Sequence, residues 1–299
     1  MWQVFSLLGL FANAFENSLD KYSLINGKSL DYAITTFYRV VVFTAILVIF
    51  GLFWYGGNLS VLVDWRIILF GLLSALYGLS YTVALKKIEV TNIGTITYIG
   101  PAVFLLIDTV LLHVPLSLLQ GMGVLLLVIG GIGFSIDGVT KKLKKELSLS
   151  IFGIFIFWSA YGGIEAYLFK FMHASYGIDA PTFFSNTWAW AGISLLFLIL
   201  IQRKGRMLFD GPVRIFVTRS VFSKTCDASS TLFTAQALTL ASVSQVSAME
   251  ALSPLILFFV TFLIQGVLHY SLNERLDRKS FAWKAFMIVL LVAGGFMVH

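Results

Sequence analysis

The first half of the chain contains ENSLDK at residues 16–21, and the second half contains EAYLFK at residues 165–170. Each stretch lies in a hydrophobic run, and in each a glutamate precedes a lysine by five positions. Other matching features follow in the same order: Arg66-Ile67 and Arg214-Ile215, Val90 and Val243, Pro101 and Pro254. The second half therefore repeats the first, and this internal repeat organises the whole chain.

The composition is that of a membrane protein. Of the 299 residues, 58% are hydrophobic and only 12% are charged, whereas a soluble domain carries about 25% charged residues. A helix that crosses a bilayer needs about 20 apolar residues. The sequence predicts an all-α membrane protein with ten transmembrane helices, at 2–23, 33–53, 66–85, 92–112, 117–136, 150–170, 181–201, 214–238, 243–268 and 282–298.

The repeat divides these runs into two groups of five. We expect a first five-helix repeat at 1–138, a basic loop at 139–149 and a second five-helix repeat at 150–299, all within one integral membrane domain. Because five is odd, each half crosses the bilayer a net one time, so the halves must face opposite ways. Inverted repeats are typical of secondary transporters, whose site lies near the midplane where the halves meet.

Basic residues are distributed unevenly between the two sides of the membrane. The loops after runs one, three, five, seven and nine hold most of them, including Lys141, Lys142, Lys144 and Lys145. The positive-inside rule places these loops in the cytoplasm, so both termini are predicted to be non-cytoplasmic. We expect a multi-pass protein of a plasma membrane, the bacterial inner membrane. The net charge of +6 is explained by these loops, and no nucleic-acid partner is predicted.

Several short features stand at characteristic places along the runs, some in both halves and some in one. They are the lysines Lys21 and Lys170 at the end of the first helix of each half, Arg39 near the start of helix two, Pro101 and Pro254 in the fourth helices, and Glu274-Arg275-Leu276 after helix nine. In this ordered set the chain resembles the drug/metabolite transporter superfamily, EamA type. The resemblance covers essentially the whole chain, although no single motif is specific. It implies a ten-helix transporter built from two repeats.

Glu16 and Glu165 are the main candidates for a functional site. They occupy equivalent positions, so a pseudo-twofold axis would bring both towards the centre. Two carboxylates in a partly dry cavity repel each other and lose solvation, so at least one could hold a proton near neutral pH, as proton-coupled exchange requires. The alternative is structural pairing, of Glu16 with Lys21 or Arg39 and of Glu165 with Lys170. A spacing of five is poor for contact along one helix face.

Other candidates for substrate binding lie on five further runs. Arg39 would either neutralise Asp20 or Glu16, or bind a substrate carboxylate through its planar fork. Run eight carries polar residues at spacings of three and four, including Lys224 and Asp227, which favours a cavity wall; these two could also simply pair. Deep aromatic side chains could stack on a cation or a planar substrate, or only pack together: Tyr77, Tyr81, Tyr98, Trp158, Tyr161 and Trp188. Of these we select Tyr81, Tyr98 and Trp158 as cavity contacts.

No zinc motif, phosphate-binding glycine loop or nucleophile elbow occurs in the sequence, so we expect no cofactor, no metal and no enzymatic activity. The predicted function is secondary active transport of a small polar or amphipathic organic metabolite by alternating access, coupled to protons or to a counter-substrate. The expected partners are that small molecule and the lipid bilayer, with the chain acting as a monomer. The alternatives are a lipid-carrier flippase, an intramembrane enzyme or a membrane scaffold that transports nothing.

Overall fold

The computed structural model describes residues 1–26, 31–54, 64–87, 117–135, 149–209, 211–241, 246, 249–250, 252–267, 272 and 278–298. Within these residues all regular structure is helical, which confirms the predicted all-α class. The helices are α1 (Trp2–Asn26), α2 (Tyr32–Trp54), α3 (Trp65–Lys87), α4 (Leu118–Ser135), α5 (Leu149–Tyr176), α6 (Ala180–Ile201), α7 (Gly211–Leu240), α8 (Ser253–Phe262) and α9 (Arg278–Val298). A 3₁₀ turn at Gly205–Phe209 follows α6, and a π turn at Leu263–Val267 extends α8. Run four, with Tyr98 and Pro101, lies outside the described residues.

Four of the described helices are long and apolar enough to cross a membrane: Tyr32–Phe53, Trp65–Lys86, Ala180–Ile201 and Arg278–Met297. Helices α1 and α7 are more polar, and they pack against each other. The backbones come very close at Gly9, where an added Cβ would lie 2.8 Å from the Thr234 hydroxyl. A polar face on a membrane helix is tolerated when it faces protein or water. The polar helices are therefore placed inside the bundle.

Contacts between helices give the relative directions of α1, α3, α5 and α7. Helix α1 runs parallel to α3, whereas α5 runs antiparallel to α3 and α7 antiparallel to α1. The contacts that establish these directions are Tyr81 with Asn17, Lys21 with Leu85, Ser80 with Trp158, Ser74 with Tyr161, Ser230 with Gly9 and Lys224 with Glu16. It follows that α5 runs opposite to α1, and α7 opposite to α3.

Two further pairs of helices are antiparallel. Helix α2 packs antiparallel to α6, with the Phe43 and Trp188 rings 5.5 Å apart and Val40 beside Gly192. Helix α4 packs antiparallel to α9, with Gly133 against Met287 and Gly130 against Leu291. A Cβ at Gly294 would lie 2.8 Å from the Gly123 carbonyl oxygen, a backbone atom that a side-chain rotation cannot move, so glycine at this position allows α4 and α9 to approach closely.

Two predicted boundaries were wrong. Run six was expected to end at 170, but α5 continues to Tyr176. The reason is that Lys170 does not mark the edge of the helix: its ammonium group donates to the Ala241 carbonyl at 2.7 Å, just beyond the end of α7. Run ten was expected to begin at 282, but α9 begins at Arg278.

Lys21 and Lys170 make equivalent contacts. Lys21 donates to the Leu85 carbonyl near the end of α3, and Lys170 to the Ala241 carbonyl after α7. The last carbonyls of a helix have no partner within it and carry partial negative charge, so a lysine stabilises them. Lys21 therefore caps the C-terminal end of α3, and Lys170 caps that of α7.

The face of the bundle where α2 begins and α6 ends carries a salt bridge between the halves, with Lys204 2.6 Å from Asp31. Partial burial by itself would raise the pKa of Asp31. The hydrogen bond and charge of Lys204 and the hydrogen bond from the Ala33 amide outweigh this, so the pKa lies below its usual value. The Tyr38 hydroxyl also joins the halves here, by donating to the Leu208 carbonyl.

Candidate substrate site

One face of α1 carries polar side chains that line the site. Asn13, Glu16, Asn17 and Asp20 follow one another at spacings of three and four, so they lie on one side of the helix. The Asn17 amide donates to the Asn13 backbone carbonyl at 2.8 Å, and the Tyr81 hydroxyl donates to Asn17. This face meets the polar stripe of α7, and both border a common cavity.

The cavity has a volume of about 370 Å³ and lies between α1, α2, α3, α5, α6 and α7. Its wall is completed by Val246, Glu250, Ser253 and Leu257. Small-molecule sites typically enclose about 300–1,000 Å³. The volume therefore suits one small organic molecule.

Most of the predicted site residues line this cavity. They are Glu16, Arg39, Tyr81, Trp158, Glu165, Lys224 and Asp227. Tyr98 lies outside the described residues. The structure thus brings together side chains from α1, α2, α3, α5 and α7, while their part in substrate binding stays a prediction.

Five charged side chains form one network at the end of the cavity nearest the beginning of α2. Lys224 lies 2.7 Å from Glu16, 3.0 Å from Asp20 and 2.7 Å from Asp227. Arg39 pairs with Asp20 and lies 3.5 Å from Glu16. Asp227 is 27% exposed, and the other four side chains are buried. Three carboxylates face two cations, so the fully ionised network has one negative charge in excess.

An unbalanced charge in a largely buried network is unfavourable, because burial removes much of the hydration that would stabilise it. The network therefore favours the uptake of one proton or of one cationic group. Hydroxyl groups hold it in place: Ser223 donates to Asp20, and Arg39 donates to Thr82 at 2.9 Å. The Arg39 guanidinium also lies 4.9 Å from the centre of the Tyr81 ring.

These contacts show the structural pairing that was one of the alternatives, while the role of the same residues in substrate binding stays a prediction. Arg39 neutralises Asp20 and Glu16, and Lys224 pairs with Asp227 while also reaching Glu16. Lys21 donates instead to the Leu85 carbonyl. Glu16 is thus paired, chiefly with Lys224, which lies 208 residues away in the sequence.

Glu165 has different surroundings. It is half-buried and accepts a hydrogen bond from the Tyr161 hydroxyl at 2.9 Å. Tyr161 also lies 2.9 Å from the Ser74 hydroxyl. Among the described residues, no lysine or arginine forms a salt bridge with Glu165.

An aromatic cluster covers this part of the cavity. Tyr77 is at its centre, stacked on Tyr161 at 4.5 Å and on Tyr81 at 6.0 Å. Trp158 and Trp188 meet the same ring edge-on at 5.8 and 6.4 Å. The cavity therefore has a charged end and an aromatic end.

Three residues that border the cavity and bear on its chemistry were not selected as site residues from the sequence: Asn17, Glu250 and Tyr161, the last considered only as a deep aromatic side chain. Asn17 and Tyr161 are each within one turn of a predicted glutamate, and helical spacing alone would have placed them on the same face. Glu250 is a carboxylate in an apolar run four residues before Pro254, whose missing N–H leaves the Glu250 carbonyl without its helical donor.

Residues 4–136 match the model of the EamA-like transporter family. A solved structure described as "Crystal structure of protein" superposes on the chain with a TM-score of 0.65 and 16% sequence identity, over 98% of each chain. At that identity the likeness shows the fold alone. No curated protein matches the chain. The family match agrees with the resemblance to EamA-type transporters over residues 4–136, and the apolar helices agree with an integral multi-pass membrane protein.

Proposed function

We propose that this chain, whose residues 4–136 match the EamA-like transporter family, is a secondary active transporter of a small polar or amphipathic organic metabolite. The observation that carries the proposal is the cavity, a chamber of about 370 Å³ with charged walls inside a bundle of apolar helices. Buried ionisable groups in a membrane protein are costly and usually mark a transport pathway. The match to a transporter family also agrees with the prediction that the chain is not an enzyme.

The directions of the helices support an inverted repeat with halves at 1–138 and 150–299. Four pairs of corresponding runs are oppositely directed: α1 and α5, α2 and α6, α3 and α7, α4 and α9. Two of these pairs also pack against each other, α2 on α6 and α4 on α9. A twofold axis in the membrane plane would require both features.

Alternating access fits the position of the contacts between the halves. The cavity borders α1 from Gly9 to Asn17 and α7 from Lys224 to Leu238, so it extends from the charged network towards the side where α1 begins. Towards the opposite side the halves are joined by the network and by Asp31–Lys204. This conformation is closed on that side, and opening there requires both sets of contacts to separate.

Coupling to protons or to a counter-substrate follows from the charge count. Glu16 is faced by Asp20, Arg39, Lys224 and Asp227, and the set has one uncompensated negative charge. Glu165, with its Tyr161 hydrogen bond, borders the same cavity. A site of this kind binds a proton and a substrate in alternation.

The test is uptake into proteoliposomes. A substrate is first chosen by thermal-shift screening of the purified protein against metabolite pools, and its uptake is then measured between pH 5.5 and 8.5. Glu16→Gln and Glu165→Gln should each remove the pH dependence of uptake. The matched control is Asp64→Asn, the same carboxylate-to-amide change at the start of α3, where Asp64 accepts from the Arg66 amide. Unchanged pH profiles in both glutamine variants would discard the coupling, and the absence of any uptake above protein-free liposomes would discard transport.

We also propose that the protein lies in a bacterial inner membrane with both termini non-cytoplasmic. The support is the excess of basic loop residues on the opposite side, where Lys204 also lies. Cys226 is the single cysteine, so a Cys226→Ser background allows one new cysteine to be placed at Lys204 and, in a second protein, at the exposed Gln3. An impermeant thiol reagent added to intact cells should label position 3 only, and the reverse pattern would overturn the orientation.

A further inference from the structure

We infer that the substrate is an organic cation with a flat apolar body, whose ammonium group binds Glu165 while its body lies against the aromatic cluster around Tyr77. The inference rests on the proposed transport function and narrows its substrate class. It depends on which charges in the cavity already have partners and which do not.

The two basic side chains that line the described part of the cavity are already engaged. Arg39 is engaged by Asp20, Glu16 and Thr82. Lys224 lies within 3.0 Å of three carboxylates. The Arg39 Nε is buried without a hydrogen-bond partner, but a substrate carboxylate or phosphate that bound there would add negative charge to a network that already has one negative charge in excess, which is unfavourable.

The two carboxylates elsewhere in the cavity differ from these basic side chains, because they have no charged partner among the described residues. Glu165 and Glu250 both line it, and neither forms a salt bridge with a described residue. Lys170, five positions after Glu165, is directed to the Ala241 carbonyl instead. When ionised, these carboxylates have no positive partner within the described part of the chain, and a cationic ligand would supply one.

The second half lacks the cation that the first half places beside its glutamate. Asp31 and Asp179 each accept a backbone hydrogen bond in the first turn of α2 and α6, which sets the two helices in register. Eight residues after Asp31 is Arg39, and eight residues after Asp179 is Thr187. The equivalent of the Arg39–Glu16 contact is therefore absent from the described second half, where Thr187 has no charge to offer Glu165.

The aromatic cluster lies next to this carboxylate. The Tyr161 hydroxyl donates to Glu165 at 2.9 Å, and the ring of the same residue stacks on Tyr77 at 4.5 Å. Trp158 and Trp188 add two larger ring faces. Aromatic faces attract cations and stack on flat ligands, so an ammonium group at Glu165 would also lie near electron-rich rings.

The volume limits the size of the ligand. A cavity of 370 Å³ corresponds to roughly twelve water molecules at about 30 Å³ each. A single-ring amine fits such a space. Suitable probes are therefore 2-phenylethylamine, its neutral analogue 2-phenylethanol and its anionic analogue 3-phenylpropionate, which differ chiefly in charge.

The experiment is isothermal titration of the purified full-length protein with the three probes. The amine should bind most tightly, and the anion should not bind measurably. Glu165→Gln should weaken amine binding by about 10- to 100-fold, because a charge-assisted contact contributes about 1.5–3 kcal/mol, and should leave the alcohol unaffected. If Glu165 had only a structural role, Glu165→Gln would weaken the amine and the alcohol alike. A loss of affinity for the amine alone therefore indicates direct contact. Asp64→Asn should leave all three affinities unchanged.

A second variant tests the aromatic wall independently of Glu165. Trp188→Leu should weaken the amine and the alcohol by a similar factor, since it removes ring surface and no charge. The inference is overturned by tighter binding of 3-phenylpropionate than of the amine, by unchanged amine affinity in Glu165→Gln, or by no binding of any probe. Should the anion bind and exchange in proteoliposomes, the transport proposal stands and only the cationic class falls. Should the amine bind as expected but fail to cross the membrane, the site assignment stands and the transport proposal falls.

Discussion

Glu16 and Glu165 stand at matching positions in the sequences of α1 and α5, yet their surroundings differ. Glu16 is buried and contacts both Arg39 and Lys224. Glu165 is half-buried and contacts the hydroxyl of Tyr161. Both carboxylates line one cavity, and the different side chains around them give them different chemistry.

The divergence arises on the helices opposite each glutamate. Helix α7 presents Lys224 to Glu16, whereas α3 presents Ser74 to Tyr161, one turn before Glu165. Both cations therefore lie beside Glu16 and neither lies beside Glu165. Of the two matched glutamates, one has positively charged partners and the other has none among the described residues.

The largest effect is expected at the charged end of the cavity. Lys224→Met would leave Glu16, Asp20 and Asp227 with Arg39 as their one described cation. Removing one partner of a buried ion pair costs about 3–5 kcal/mol, so the variant should unfold at a much lower temperature in detergent. Lys224→Arg, which keeps the charge, should lose far less. Equal melting temperatures for Lys224→Met and the wild type would show that the network contributes nothing.

The excess negative charge can be tested with a double variant. Glu16→Gln in the Lys224→Met background removes one carboxylate together with one cation and restores the original imbalance of a single charge. We expect it to recover about 1–3 kcal/mol of the lost stability, the range found for residues in one network. Denaturant unfolding of the four proteins in the cycle measures this coupling. Strict additivity of the two changes would contradict the charge count.

At the aromatic end, a smaller effect is expected from one hydroxyl. Tyr161→Phe removes the donor to Glu165 and keeps the ring stacked on Tyr77. A hydrogen bond to an ionised group contributes about 1.5–3 kcal/mol, against about 0.5–1.5 kcal/mol for a neutral pair. Tyr81→Phe is the matched change beside Glu16, because Tyr81 donates to the uncharged Asn17. Tyr161→Phe should therefore be the more destabilising of the two, and the reverse order in thermal unfolding would indicate that Glu165 is uncharged.

The smallest effect is expected at Asp31, outside the membrane-spanning helices. Because its folded-state pKa lies below the unfolded value of about 3.9, its contribution is fully present above that pH and is lost as pH falls through the folded pKa. Lys204 and Asp31 are 35% and 21% exposed, so solvent screens the pair and the stability at stake is below about 1 kcal/mol. Lys204→Met should lower the unfolding temperature slightly at pH 7 and not at pH 2. A large loss at pH 7 would mean that this face is held mainly by the pair.

Sequence reasoning reached most of the candidate site because the repeat is visible without coordinates. The shared spacing of Glu16–Lys21 and Glu165–Lys170 identified both glutamates, and the three-and-four spacing on run eight identified Lys224 and Asp227. The same reasoning did not select Glu250, because the matching position in the first half, four residues before Pro101, is Thr97 rather than a carboxylate. It also misplaced the end of run six. The predicted helix ends at Lys170, whereas this residue lies within α5 and donates to the Ala241 carbonyl.

The sequence by itself determined that this is a helical membrane protein with an internal repeat, since apolar content, run length and recurring spacing are properties of the chain alone. Only the tertiary structure decided which carboxylates are neutralised. Lys224 and Glu16 are 208 positions apart and meet because α7 packs antiparallel to α1. Electrostatic pairing depends on distances of a few ångströms, and such distances between separate helices are set by packing rather than by sequence order.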